Sequence, residues 1–352
     1  MITEETMAKV LLGMSGGVDS SVAAALLLRA GHEVTGATLV MHDIHERDAA
    51  AAKMVADAVG IEHVTVDMRE DFEKYVLTPF VSEYEKGRTP NPCVLCNGYI
   101  KFPALLRTAD SLGCDFIATG HYAAIGKRDG HPVITAATDK AKDQSYFLCL
   151  LGEDILSRLL FPLSGMTKPE IRAIAEELAL PSASSPDSQD ICFIKDISCA
   201  DFVAGRSKNP PVLGDFTDLD GNILGKHKGI TAYTVGQRKG LGIASTAPLY
   251  VSHINAESGN VVLCRENELY RTRVYAENCR YFAGDFPDKP FEASVSLRYT
   301  KKPGRAKVTS LGNGQVLIEY TEPQRAPAPG QAAVFFDGDD LLGGGIICGS
   351  EA

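Results

Sequence analysis

Residues 10–22 read VLLGMSGGVDSSV, and this stretch limits the possible folds more than any other in the chain. An apolar run ends at Gly13, a Ser-Gly-Gly turn follows, and the apolar helix formers Val22 to Leu28 come next. That order predicts a strand, a tight turn and a helix start. Gly16 and Gly17 allow close backbone approach to a ligand, and the hydroxyls of Ser15, Ser20 and Ser21 add polar contacts. The first amides of the following helix complete a cradle for an anion.

The pattern beyond this turn extends the argument. Strand-like runs at 9–12, 33–40, 63–66 and 115–118 alternate with helical patterns at 20–30, 47–59, 71–85 and 100–112. Such alternation predicts a parallel sheet with helices on both faces, and it puts the glycine turn at the carboxyl end of the first strand, where such sheets bind nucleotides. A further helix is expected at 166–178, with Thr167 as N-cap, Pro169 in the first turn and Glu170 closing a capping box. After about residue 205 the texture changes to short apolar runs at 249–254, 261–264, 293–297, 316–319 and 332–336, broken by Gly, Pro, Asn and Asp. These predict two small β-rich modules joined near residue 270. The expected division is a nucleotide-binding domain with a helical extension at 1–205, a central β-rich module at 206–270 and a barrel-like module at 271–352.

With 352 residues, 45% hydrophobic and 23% charged, the chain has the composition of a globular protein with substantial cores. No run approaches membrane-spanning length and no signal-peptide pattern opens the chain, so a cytoplasmic protein without a membrane partner is expected, residues 1–6 forming a short disordered lead. The net charge of -10 argues superficially against nucleic acid. Its distribution matters more. Lys and Arg gather at 225–229, 236–240 and 298–307, as solvated turns or as an RNA-facing surface.

Nine cysteines without a secretion signal argue for thiol or metal chemistry rather than a disulfide framework. Cys93 and Cys96 form a Cys-x-x-Cys pair in TPNPCVLCN, expected on an exposed Pro-rich loop, and Cys192 lies in DSQDICFI. Cys114, Cys149, Cys264, Cys279 and Cys348 sit in apolar or strand-like surroundings and read as small buried hydrophobes.

A P-loop of the kinase type would carry Lys-Ser or Lys-Thr after its last glycine. Here Val18-Asp19 stands there, and an acidic residue beside a phosphate nest makes sense if it holds Mg²⁺ bridging the phosphates. The turn resembles the pyrophosphatase loop of N-type ATP pyrophosphatases, which adenylate a carbonyl oxygen. With GMSGGVDS (13–20), NPCVLCN (91–97), Lys101-Phe102, ATGHYA (118–123), KDQSYFL (142–148), SQDICFI (188–194), TVGQRKGLG (234–242), Arg298-Tyr299, PGQAAV (329–334) and GGG (343–345), the whole chain resembles the tRNA-specific 2-thiouridylases of the MnmA type. The resemblance implies an adenine nucleotide α-hydrolase-like domain that adenylates the C2 oxygen of the wobble uridine (U34) with ATP and Mg²⁺ and then transfers sulfur. It implies ATP contacts at Gly13, Met14, Ser15, Gly16, Gly17, Val18, Asp19, Ser20, Leu39 and Gly120. It also implies Cys96 as nucleophile and Cys192 as persulfide carrier, the two forming a transient disulfide bond. Asn91, Pro92 and Cys93 would meet the target base, and His121, Lys142, Asp143, Gln144, Arg298, Tyr299 and Gln331 the rest of the tRNA. The implied partners are tRNA and a sulfur donor, such as a cysteine desulfurase or relay protein.

One position departs from the best-known pattern. Many members carry Asp where Cys93 stands, and that carboxylate is assigned acid/base work beside the base. Cys93, Cys96 and Cys192 together form a set of three thiols that is able to ligate a [4Fe–4S] cluster with one open iron. Without a cluster, Cys96 and Cys192 run the persulfide route alone. Two other classes compete: an amidotransferase-type synthetase, which needs an ammonia source, and a non-catalytic RNA-binding protein on a decayed nucleotide domain. The β modules with basic turns argue against the first, the intact loop at 15–20 and the paired cysteines against the second.

Overall fold

The computed structural model describes residues 7–185, 191–195, 197–209, 213–300 and 302–351. The expected lead at 1–6 and the first part of the DSQDICFI motif lie outside the described residues. The chain opens with β1 (Lys9–Gly13), α1 (Val18–Arg29), β2 (Glu33–Val40), α2 (His45–Val59) and β3 (Glu62–Asp67). Next come α3 (Arg69–Phe72), α4 (Thr78–Glu85), α5 (Pro92–Cys96), α6 (Phe102–Leu112) and β4 (Phe116–Thr119). A hairpin of β5 (Ala123–Arg128) and β6 (His131–Ala136) precedes α7 (Glu153–Leu156), β7 (Leu159–Leu160), α8 (Lys168–Glu177) and α9 (Cys199–Arg206). Strands β1 to β4 and β7 pair in parallel in the order β3-β2-β1-β4-β7. Val10 and Leu12 face one core with Val22 and Ile171, whereas Leu11 faces the other with Phe102 and Leu105, and all are fully buried. A strand covered on both faces reads as a continuous apolar run, which is how 10–12 appears in the sequence.

Two expected helices are interrupted. The run expected at 71–85 breaks into α3, a π-turn at Glu73–Leu77 and α4, with Pro79 in the first turn of α4. The run expected from residue 100 begins with a π-turn at Asn97–Lys101 that passes into α6, where Pro103 occupies the same place. A proline has no N–H for the carbonyl four residues earlier, and widening the turn accommodates its ring. The Cys-x-x-Cys segment is not an exposed loop. It is α5, started by Pro92 and capped by Asn91, whose Oδ1 accepts the Val94 N–H at 3.3 Å.

The central module pairs β8 (Asp215–Thr217), β9 (Ile223–Lys226), β10 (Tyr250–Asn255) and β11 (Asn260–Cys264) in the order β10-β11-β8-β9. The last module consists of β12 (Tyr270–Tyr281), β13 (Phe291–Ser296), β14 (Gly304–Gly312), β15 (Gln315–Arg325), β16 (Ala332–Asp337) and β17 (Asp340–Glu351). Its strands follow one another as β12-β15-β14-β13-β16-β17, and β12 also pairs with β17, which closes a barrel. The β5–β6 hairpin, which the sequence reading did not anticipate, extends this sheet through β6 and β17. Cys114, Cys149 and Cys264 are buried as expected, but Cys279 and Cys348 are only partly covered, and all nine cysteines are free thiols. Among the described residues, no helix is long and apolar enough to cross a membrane.

Behind the site, Phe193 packs edge-on against Phe72 at 5.6 Å and Phe80 at 5.4 Å, and against Phe202 of α9 at 5.2 Å. This cluster ties the segment after Cys192 to the nucleotide-binding domain. Truncating the fully buried ring in Phe80→Ala is expected to lower stability by about 3–5 kcal/mol, read as a fall in the urea unfolding midpoint at unchanged slope. A loss within the surface range of about 0.5 kcal/mol would show that the cluster does not hold this segment.

Candidate active site

The glycine turn lies where β1 meets α1. Gly16 has φ +74°, and a Cβ there would come within 2.7 Å of the Ala51 Cβ and 3.0 Å of the Ala52 N, so α2 packs directly behind the turn. Gly120, just after β4, approaches as closely: a Cβ would sit 2.9 Å from the Asp19 carbonyl carbon and the Ser20 N. The turn is thus enclosed by α2 and the end of β4. Inside it the Ser20 hydroxyl accepts the Ser15 N–H at 3.3 Å. Ser21 differs from expectation: its fully buried hydroxyl donates to the Gly17 carbonyl at 2.8 Å and accepts from Ser182 at 2.8 Å, so it braces α1 instead of facing a ligand. Met14, Val18 and Leu39 have buried side chains. Their side chains thus pack inward, away from the open side of the turn. Gly13 and Gly17 complete the path around the nest.

Asp19 is already engaged. Lys168, at the first position of α8 and 8% exposed, donates from Nζ to both carboxylate oxygens at 2.7 and 2.9 Å, and the Tyr122 hydroxyl donates at 2.7 Å. Sequence reasoning missed both partners. The Thr167–Glu170 capping box announced where α8 starts, and Glu170 does accept the Thr167 N–H at 2.7 Å. Nothing in the sequence says that this helix end faces Asp19, 149 residues away.

Of the three thiols, Cys96 is placed over the carboxyl edge of β2. The Cys96 Sγ lies 3.5 Å from the Met41 Sδ, just past the end of that strand. Burial pushes the Cys96 thiol up to about 12, Lys101 pulls it down, and charge on Cys192 or Cys93 pushes it further up. Cys192 is exposed as a residue, yet the protein around its sulfur pushes its thiol up to about 11, with Cys93 adding to the rise and Lys101 opposing it. Burial likewise raises Cys93, again against Lys101. Lys101 thus opposes the rise at each of the three sequence-predicted cysteines, and Cys93 raises both Cys96 and Cys192. The π-turn at Asn97–Lys101 carries Lys101 from the end of α5 to that position. Among the described residues, no three or more His, Cys, Asp and Glu side chains are disposed to hold a metal ion. The three thiols are a suitable donor set for a cluster, but their present spacing is not that of a metal site.

The residues expected at RNA have mixed placements. Burial and Lys101 hold the His121 ring well below its usual pKa, hence neutral, with Nδ1 2.9 Å from the Thr119 hydroxyl. Asp143 accepts the Ala137 N–H at 2.8 Å and the Ser145 hydroxyl at 2.6 Å, and Gln144 accepts the Tyr122 N–H at 2.9 Å. Both side chains shape the connection beside Lys142. Arg298 donates to the Val235 carbonyl at 2.9 Å and the Ala326 carbonyl at 3.2 Å, bolting the barrel to the central module. Tyr299 is 43% exposed and leans on Phe147 at 4.6 Å between ring centres, open to a stacking partner. Gln331 donates to the Thr89 carbonyl at 2.8 Å, just ahead of Asn91, Pro92 and Cys93. An open hollow of about 370 Å³ lies against residues 238–249, and one of about 450 Å³ against residues 67–71, at the carboxyl end of β3 beside that of β2; neither includes a thiol.

A five-stranded parallel sheet with a Ser-Gly-Gly-Val-Asp-Ser nest at its carboxyl edge, followed by two β modules, defines a nucleotide-binding α/β protein of the pyrophosphatase-loop class. Family models match along the whole chain: a "tRNA methyl transferase HUP domain" at residues 8–196, a "tRNA methyl transferase PRC-barrel domain" at 200–265 and an "aminomethyltransferase beta-barrel domain" at 271–347. The chain is 44% identical to the tRNA-specific 2-thiouridylase MnmA of Acetivibrio thermocellus, covering 96% of this chain and 99% of the relative. It is 45% identical to the protein of the same name from Syntrophotalea carbinolica, covering 96% and 98%. Among solved structures it is similar to the U34-tRNA thiolase NcsA of Methanococcus maripaludis with its [4Fe–4S] cluster, at 24% identity and a TM-score of 0.36, covering 57% of this chain and 64% of that one. The chain belongs to the family of tRNA-specific 2-thiouridylases of the MnmA type.

Because the reactive form is the thiolate, alkylation of Cys192 by iodoacetamide in the RNA-free protein is expected to rise about tenfold per pH unit up to about pH 10. Lys101→Met removes the cation that lowers all three thiols, so at pH 8.5 it should slow alkylation of Cys192 and Cys96, followed by peptide mass spectrometry. An unchanged rate would show that Lys101 does not act on the thiols.

Proposed function

We propose that this chain uses ATP to replace the C2 oxygen of the wobble uridine of tRNA with sulfur. The observation that carries the reading is a Gly-Ser turn at the carboxyl end of β1 and the Cys96 thiol at the carboxyl end of the neighbouring β2, with Cys93 and Cys192 acting electrostatically on Cys96. Membership in a family whose curated relatives are named for that activity supports it.

The chemistry follows from bond polarity. A uridine C2 oxygen leaves poorly until it attacks the α-phosphorus of Mg²⁺·ATP and pyrophosphate departs. The amides at 15–20 face the phosphates, and Asp19 would take the Mg²⁺ that arrives with the nucleotide while Lys168 turns to the phosphate oxygens. The terminal sulfur of a persulfide on Cys192 then bonds to C2 and AMP leaves with the C2 oxygen. The Cys96 thiolate next attacks the Cys192 Sγ. The S–S bond breaks, its electron pair stays on the sulfur bound to C2, and the products are 2-thiouridine and a Cys96–Cys192 disulfide. A thiol reductant reopens the disulfide, and a cysteine desulfurase or relay protein reloads Cys192. Lys101 lowers the cost of each thiolate, and the neutral His121 ring beside it is available to exchange a proton. Asn91, Pro92 and Cys93 would face the base, Tyr299 would stack and Lys142 would meet phosphate. The reaction would take place in the cytoplasm.

A second reading comes from Cys93. A third thiol coupled to the other two makes a [4Fe–4S] cluster on Cys93, Cys96 and Cys192 the competing sulfur carrier, one that needs a closer approach of the three sulfurs. Cys93→Ser separates the readings. Full thiolation by an iron-free variant supports the persulfide route. Loss of activity together with loss of iron absorbance after anaerobic reconstitution supports the cluster.

The main test is tRNA-dependent release of AMP and pyrophosphate, with 2-thiouridine identified by nucleoside mass spectrometry. Asp19→Ala should cut AMP formation at least about a hundredfold and leave the Kd for tRNA within about twofold. Normal adenylation by that variant, or ATP turnover without thiouridine in the unmodified protein, would overturn the reading.

A further inference from the structure

Residues 89–92 read Thr-Pro-Asn-Pro, so only Thr89 and Asn91 carry backbone N–H groups there. Pro90 and Pro92 donate no backbone hydrogen bond, yet the segment must aim α5 and its two cysteines. The barrel supplies what is missing. The Thr89 N–H donates to the Pro329 carbonyl at 2.7 Å, and the Gln331 Nε2 donates to the Thr89 carbonyl at 2.8 Å. Both backbone groups of Thr89 are thus satisfied by one turn of the C-terminal module. Gly330, at the centre of that turn, has φ +94°, and a Cβ there would come within 2.8 Å of the Thr89 carbonyl carbon and 3.0 Å of the Pro90 N. The turn itself is held to β17 by two bonds: Gly330 N–H to the Ile347 carbonyl and Ile347 N–H to the Gln331 carbonyl, each 2.8 Å.

A second link runs in parallel. The Tyr146 hydroxyl donates to the Ala332 carbonyl at 3.0 Å and also hydrogen-bonds the Asn91 side chain, which caps α5 at Val94. Arg88, one residue upstream, donates to Glu277 at 3.1 Å and to the Ile347 carbonyl at 3.3 Å.

We propose that the barrel turn at 329–332 is the strut that positions the Cys93–Cys96 helix, with Gln331 and Tyr146 as its positioning residues. The proposal deepens the reading of the active site and rests on the role given there to Cys96. The barrel then acts inside the enzyme even with no RNA bound, by keeping α5 docked and the Cys96 sulfur buried. Gln331 acts on the chemistry through Thr89.

The test separates this role from a simple RNA contact. Gln331→Glu keeps the shape and removes the donor. Gly330→Ala pushes on Thr89 without altering any polar side chain. In each variant the alkylation rate of Cys96 is measured in the RNA-free protein, alongside the urea midpoint, tRNA Kd, kcat and KM. The strut predicts Cys96 alkylation faster by about fivefold, the factor set by the loss of one hydrogen bond that keeps the helix docked. It also predicts a fall in kcat with tRNA KM within about twofold. Gln331→Lys, which restores a donor toward Thr89, should bring alkylation back toward the original rate. Unchanged Cys96 alkylation in both Gln331→Glu and Gly330→Ala overturns the proposal, whatever happens to tRNA affinity. Faster alkylation in a protein that proves to make no thiouridine would leave the strut standing and remove the functional reading instead.

Discussion

Burying sulfur beside a single cation is the constraint on which the rest of this structure depends. A thiolate in a poorly solvated site is costly, and Cys96 and Cys192 are both pushed far above the ordinary thiol range. Among the described residues, Lys101 is the charge that works against burial at Cys93, Cys96 and Cys192 together. Its position depends on the π-turn that follows α5, and that turn depends on the proline that opens α6. A backbone irregularity and the charge that faces the thiols thus have the same origin.

The nucleotide side of the site is organised by the same kind of opposition. A carboxylate in a phosphate nest repels its ligand unless a cation intervenes, and in the ligand-free protein that cation is the ammonium of Lys168. An ion pair largely withdrawn from water is weak evidence of stability, because desolvation offsets much of its attraction. In the proposed reaction the pair would be exchanged: Asp19 would hold the Mg²⁺ that comes with the nucleotide, and Lys168 would turn to the phosphates.

The modules after residue 205 are joined to this site by specific bonds rather than by adjacency alone. Arg298 spends its guanidinium on carbonyls of both β modules, and the β5–β6 hairpin adds itself to the barrel sheet. The turn at 329–331 grips the segment that launches α5. An acidic chain that handles RNA needs local rather than net complementarity. Anchoring the barrel to the segment before α5 holds the surface around Tyr299 in fixed register with that helix.

Much of the protein is written in the order of its residues. Glycine and serine between an apolar strand and an apolar helix allow few backbone paths, so the nest, the parallel sheet and the capped start of α8 were legible from local chemistry. The Cys93–Cys96 pair was legible from its spacing, whereas Cys192 joined it only through the family resemblance. Local reading failed where long-range contacts decide. Pro92 suggested an exposed loop, but Asn91 capping and the burial of Val94 make it the start of a helix. The resemblance put Gln331, Arg298 and Asp143 at the tRNA; in the structure Gln331 and Arg298 also meet backbone carbonyls that only the assembled modules bring within reach, and Asp143 accepts the N–H of nearby Ala137. Lys168 drew no notice, because a lysine at a helix start carries no sign of a carboxylate 149 residues away. Local sequence determines which conformations each segment can adopt. Which distant charge, sulfur or carbonyl ends up opposite a given side chain is settled only when the sheet and the barrel pack together.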